Sequence, residues 1–308
     1  MKKLTRKITL SLVAILFAVI ALGTTTYAWF TLGTTASVGT VEGEVTSGEG
    51  IEISLDGKTW VNKLTEEMLS KYVQQHAVSL SLTDVTKSGK TFMKNNGVTG
   101  GKEATANTDY LVLPIQVRAI GKAAASEDGT KAGYKLYVSS VNIKDDKTTE
   151  TAINWKADVD VKVGEKQVLT AGNDFKLYAS DAARVTFEYN DATKATIYTT
   201  HGDTTYKDED TKTQEDGLAK AYATAKGYDT LPTFVDDELL TPEKNSLILA
   251  SDVNENDGKV LIVDALPKAT ETITVNVYVW LNGYDAHCIN AILGHKIYVD
   301  FSFVAKAE

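Results

Sequence analysis

The chain is poor in the residues that build covalent or metal-held scaffolds. It has one Cys, Cys288, in 308 residues, which excludes an internal disulfide framework and any multi-Cys zinc or iron–sulfur site. Its four His are His76, His201, His287 and His295, and none has a His partner four residues on. The His-Glu-x-x-His helix of zinc proteases is therefore absent. The chain also lacks a Gly-x-Ser-x-Gly elbow, a complete phosphate loop ending in Gly-Lys-Ser/Thr, and a Gly-x-Gly-x-x-Gly run before a helix. These motifs are local, so their absence argues against the classes that depend on them; a dispersed carboxylate pair stays open. With four Pro and 22 Gly the sequence is not collagen-like. Basic charge is short too: the formal net charge is −9, which argues against nucleic acid as a partner, because a polyanion needs a basic face. What the chain does have is 43% apolar residues, enough to bury a core.

The longest apolar run stands at the start. Lys2, Lys3, Arg6 and Lys7 precede Ile8 to Leu22, and Thr26-Tyr27-Ala28 follows. A basic n-region, an apolar stretch and a small-residue site make up a secretory leader. The run is 15 residues long, short for a membrane span of about 20, so residues 1–28 are expected to be a cleaved signal peptide, with a retained anchor as the alternative. Cleavage is expected next to Ala28 and Trp29. Type IV pilins fit poorly, since there the cut precedes the apolar run. Loss of the leader's four basic residues makes the exported chain more acidic still. The C-terminus carries no apolar tail, basic tail or LPxTG-type sorting sequence, which argues against covalent wall attachment.

Thr, Val, Ile and Tyr dominate the rest, in short alternating runs that suit a pleated, half-buried surface. Strands are predicted at Val41–Val45, Ile51–Leu55, Tyr110–Ile120, Tyr134–Ile143, Trp155–Val163, Gln167–Thr170, Ala183–Tyr189 and Ala195–Thr199, then at Ser246–Ala250, Val260–Val263, Thr272–Leu281 and Lys296–Val304. Asp56-Gly57 predicts a turn before Trp60-Val61. The fold class is all-β: a jelly-roll-like β-sandwich over 46–308 with a few short helices and long surface loops. Leu64, Met68, Leu69, Tyr72 and Val73 have helical spacing, with Thr65 as N-cap before Glu66 and Glu67. Further helical pieces are predicted at Gln214–Lys226, at Thr241-Pro242-Glu243 and from Asp285 to Leu293. Lys87–Thr108 and His201–Gln214 hold few apolar residues and are predicted as mobile surface loops.

Little of this sequence offers chemistry. Cys288 follows His287, but neighbours on a helix point about 100° apart and make a poor dyad, so a buried packing thiol is the expected role. Asp252, Asn254, Asn256 and Asp257 resemble part of a calcium loop. Gly258 and Val263 fall where an EF-hand would not place them, so the expectation is a hairpin turn between Ser246–Ala250 and Val260–Val263, a cation site of another type being the alternative. The acidic run Asp208-Glu209-Asp210 reads as a solvated loop. Trp29, Phe30, Trp60, Trp155 and Trp280 read mainly as core, with an exposed carbohydrate platform as the alternative. No catalytic residue and no cofactor is expected.

Two blocks carry a resemblance. Thr26-Tyr27-Ala28-Trp29-Phe30-Thr31 resembles the leader border of the TasA and camelysin (CalY) group of secreted Firmicute proteins, which are cut by a SipW-type signal peptidase. Val279-Trp280-Leu281-Asn282-Gly283-Tyr284-Asp285, Cys288 and the last strand resemble a recurrent ending of SipW-dependent proteins. The resemblance covers about 40 residues at the two ends. It implies a jelly-roll subunit of an extracellular fibre or biofilm matrix whose partners are itself, other matrix proteins and the signal peptidase. In that group the freed N-terminal segment completes the sheet of the next subunit. Residues 29–45 would be the donor strand here, with Trp29, Phe30, Leu32, Val38, Val41 and Val45 as anchors. Camelysin-type members are classed as metallopeptidases; that activity is not carried over, because no metal-binding protease motif is present. A surface-displayed binding module or adhesin with the same fold is the alternative, and a secreted, camelysin-like metallopeptidase is a weaker one.

Overall fold

The computed structural model describes residues 40–42, 45–48, 50–76, 82–88, 91–94, 103–126, 133–145, 152–157, 160–162, 168–190, 195–200, 245–250, 253, 259–283, 285, 288, 292 and 295–307. The chain divides into two compact units, Met1–Thr35 and Ala36–Glu308. The whole first unit, and the leader with it, lies outside the described residues.

In chain order the strands begin with β1 (Thr40–Glu42), β2 (Val45–Ser47), β3 (Ile51–Ser54), β4 (Lys63–Leu64), β5 (Asp84–Ser88) and β6 (Thr91–Lys94). They continue with β7 (Leu111–Ala119), β8 (Lys135–Lys144), β9 (Ile153–Lys156), β10 (Val161–Lys162), β11 (Val168–Leu169) and β12 (Asp174–Leu177). The last are β13 (Ala183–Tyr189), β14 (Ala195–Thr199), β15 (Asn245–Leu249), β16 (Val260–Val263), β17 (Thr272–Asn282) and β18 (Lys296–Lys306). Helix α1 spans Glu66–His76, and α2 is one turn, Ala179–Ala182. The fold is all-β with few, short helices.

Among the described residues two main sheets form. One runs β16-β8-β18-β2-β4, with β1 also on β18; the other runs β15-β14-β13-β17-β5-β6, with β7 on β17 and β3 on β7. Strict alternation explains how they meet. In β7, Leu111, Leu113, Ile115, Val117 and Ala119 are all buried while the residues between them are half-buried. β18 buries Ile297, Val299, Phe301, Phe303 and Ala305 in the same way, with Tyr298 also buried at its start. With a period of two, each strand turns one whole set of side chains to the same face. These faces fill one core with Val275, Val277 and Val279 of β17 and Leu136, Val138, Val141 and Ile143 of β8. Phe187 of β13 meets Phe301 and Phe303 edge-on, at ring-centroid distances of 4.9 and 5.9 Å, so the two sheets pack face to face as a sandwich.

Helix α1 starts where its cap predicts. Thr65 Oγ1 accepts the Met68 amide at 3.4 Å, Glu66 and Glu67 lie in the first turn, and Leu69 is buried. Met68, Tyr72 and Val73 pack against the core. The Asp56-Gly57 turn forms too: Asp56 Oδ1 accepts the Lys58 and Thr59 amides at 2.8 and 2.7 Å, and Gly57 has φ +68°. Val61 then bridges antiparallel to Ile53. The Asp56 carboxyl is held well below its ordinary value, first by the Thr59 and Lys58 amides.

Three expectations are corrected. Lys87–Thr108 is not all surface loop. β6 lies within it and pairs antiparallel with β5, whose last two residues reach into it, and Phe92 is 2% exposed. Two apolar residues, Phe92 and Met93, among polar neighbours hide a strand from composition, because only the partner face shows that the site is closed. Trp155–Val163 is not one strand. β9 pairs with β12 and β10 with β11, nested hairpins closed by the Ala157 amide on Asn173 O. Ser246–Ala250 and Val260–Val263 do not form a hairpin. β15 runs parallel to β14 in one sheet and β16 antiparallel to β8 in the other. At Val41–Val45 the described residues fall in β1 and β2, and both run parallel to β18 in one register. The pieces predicted at Gln214–Lys226 and Thr241–Glu243 and the loop His201–Gln214 lie outside the described residues.

Candidate functional site

The edge formed by β18 is where the N-terminal part of the described chain arrives. β18 pairs along one side with β8, from Tyr298↔Lys144 to Lys306↔Lys135. Its other side is taken by two short strands in series, with Thr40↔Lys296 to Glu42↔Tyr298 and then Val45↔Phe301 to Ser47↔Phe303. β2 pairs on its far side with β4, through Val45↔Leu64 and Thr46↔Lys63. The Gly48 amide extends the ladder to Phe303 O at 2.8 Å. Ser47 Oγ donates at 3.1 Å to Ile51 O and to Asn62 O. The chain then swings across to β3 at Gly50, which has φ +87°; a Cβ there would come within 2.7 Å of Ala123 Cβ. Only Gly meets both conditions.

Of the expected assembly anchors, Val41 sits in β1 opposite Ile297, and Val45 in β2 opposite Phe301 and Leu64. Trp29, Phe30, Leu32 and Val38 lie outside the described residues, as do Ala28 at the expected cut and the cation candidates Asp252, Asn254, Asn256 and Asp257. Among the described residues no three His, Cys, Asp or Glu side chains cluster, and no helix is long and apolar enough to cross a membrane.

The opposite, outward face of the eight-stranded sheet holds what residue reading missed. Val85, Phe92, Ala104, Ile197 and Trp280 form a second apolar layer, with Tyr110 and Tyr278 against it. Phe92 stacks on Tyr110 at 4.1 Å and meets Trp280 edge-on at 5.3 Å. Three ion pairs rim this layer. Lys87 Nζ lies 2.9 Å from Glu188 Oε1, Lys94 Nζ 2.8 Å from Asp109 Oδ1, and Arg184 Nη2 2.6 Å from Asp285 Oδ2. Arg184 Nη1 also donates to Asp181 O and Ala183 O. Burial, with Glu188 and Tyr110 nearby, pushes the Tyr278 hydroxyl up to about 12. Each of these three cations is matched by a carboxylate, so the pairs tie strands and turns of this layer together. The sequence holds little signal for the layer: in Ala183–Tyr189 the polar Arg184, Thr186 and Glu188 alternate with apolar residues, the pattern of a solvated outer face. Cys288, whose amide donates to Asp285 O at 2.9 Å, is buried. Trp60 is half-buried beneath Arg118, whose guanidinium carbon lies 4.4 Å from its ring.

No protein-family model matches this chain, and no curated protein or solved structure matches it.

Proposed function

We propose that the chain is an exported structural protein of a Gram-positive cell surface or matrix that assembles with itself by strand addition along β18. The observation that carries this reading is the parallel pairing of Thr40–Glu42 and Val45–Ser47, the first described residues, with β18 in one register. Strand pairing is made by main-chain hydrogen bonds, and the same bonds form whether the strand comes from the same copy or from a neighbour. Concentration then decides between closed monomer and chain. The Pro-free run Trp29–Val45 suits such an exchange, since Pro would interrupt the ladder. The leader pattern and the SipW-type border support export with Trp29 or Phe30 as the first residue, which mass spectrometry of the exported chain reads directly.

The test is deletion of Trp29–Ser37, scored by filament counts in electron microscopy beside thermal melts. The expected result is a folded monomer of unchanged melting temperature that does not elongate. A truncated chain that keeps its filaments overturns the proposal. So does one that loses filaments only because its melting temperature collapses, since the segment then serves its own fold.

A further inference from the structure

We infer that the outward layer of the eight-stranded sheet holds one internal water molecule as a fixed part of the fold, bound by Thr199, Arg184 and Trp280. These residues lie in one row across three neighbouring strands. Arg184 of β13 is opposite Trp280 of β17. The β13–β14 register, Val185↔Tyr198 and Thr186↔Ile197, carried one residue on sets Arg184 against Thr199. Residues directly opposite share a face, with Cβ atoms about 4.5–5.5 Å apart. Their exposures are 2% for Thr199, 2% for Arg184 and 1% for Trp280. Among the described residues, Thr199 Oγ1, Arg184 Nε and Trp280 Nε1 are buried atoms with no hydrogen-bond partner. A buried polar atom left so is costly, and three on one row share one solution.

The chemistry of the three atoms selects the ligand. Arg184 Nε and Trp280 Nε1 only donate, and Thr199 Oγ1 donates or accepts. Two N–H groups repel a cation. An anion finds no net positive charge, because Asp285 Oδ2, with its side chain 0% exposed, lies 2.6 Å from Arg184 Nη2. A water accepts from the two N–H groups and donates to the Thr199 hydroxyl, making about the three bonds usual for an internal water.

Thr199→Val tests this by sign, because it keeps the side-chain shape and removes only the hydroxyl. If Thr199 holds the water, the variant melts lower by about 2–4 °C. If the hydroxyl has no partner, its removal leaves the melting temperature unchanged or raises it, and the inference falls. A second measurement uses the intact mature chain. The Trp280 indole N–H, assigned by its loss in Trp280→Phe, should show cross-relaxation to a long-lived water in NMR spectra, and its absence overturns the inference. An anomalous bromide peak at this row in crystals grown with bromide would overturn it in favour of an anion site.

Discussion

Phe92→Ala distinguishes a packed hairpin from a surface loop. Were Lys87–Thr108 a solvated loop, the substitution would change stability by no more than about 0.5 kcal/mol. In the structure the Phe92 side chain is 2% exposed. It stacks on Tyr110 at 4.1 Å and on Tyr278 at 5.3 Å, and meets Trp280 edge-on at 5.3 Å. Truncating a buried Phe to Ala costs about 3–5 kcal/mol, which includes aromatic pairs of about 0.5–1.5 kcal/mol each. The β5–β6 hairpin lies at a sheet end and has room to settle into the gap, which favours the lower part of that range. At about 2–4 °C per kcal/mol, a loss of about 3 kcal/mol lowers the melting temperature by about 6–12 °C. The assay is thermal unfolding of the mature chain followed by far-ultraviolet circular dichroism, with exposed Lys122→Ala as control. Phe92→Leu, which keeps most of the volume and loses the stacking, should fall between. A Phe92→Ala melting temperature within about 1 °C of the parent would refute the burial argument.

Asp285→Asn leaves Arg184, whose side chain is 3% exposed, without its counter-charge, and should cost about 3–5 kcal/mol, whereas the double change Arg184→Met with Asp285→Leu should recover most of the loss; urea titration of the three variants checks both. Burial holds the Asp145 carboxyl above its ordinary value, against the Ser180 and Ala179 hydrogen bonds that pull it down. The folded chain therefore holds that proton more tightly than the unfolded chain, so this stabilising contribution is complete at low pH and is lost as pH rises through the raised value. Asp145→Asn should remove that slope from the melting-temperature profile, and an unchanged profile would count against it. Cys288, 6% exposed, should react with a soluble thiol reagent only as fast as the fold opens; a rate equal to that of the denatured chain sinks this expectation.

The sequence determined the strands because their signal is local. Ala183–Tyr189, Ala195–Thr199 and Val260–Val263 are written in β-branched and aromatic residues bounded by turn formers, and they fold over the same residues. Thr65 before Glu66-Glu67 and Asp56 before Gly57 mark their helix and turn by the same short-range hydrogen bonds that form there. Pairing is not local. Nothing in Val41–Val45 says that it runs parallel beside a strand some 250 residues later, nor in Ser246–Ala250 that its partner is β14 and not Val260–Val263. The site shares that division. The strand character of the N-terminal stretch was readable, but the edge that receives it exists only once β8 and β18 have paired. The second layer depends on tertiary structure still more. Arg184 and Asp285, Lys87 and Glu188, and the row Thr199–Arg184–Trp280 each join residues from different strands and turns. A charge in a strand reads as exposed until a neighbouring element covers it, since burial belongs to the pair of surfaces that meet and not to either segment alone.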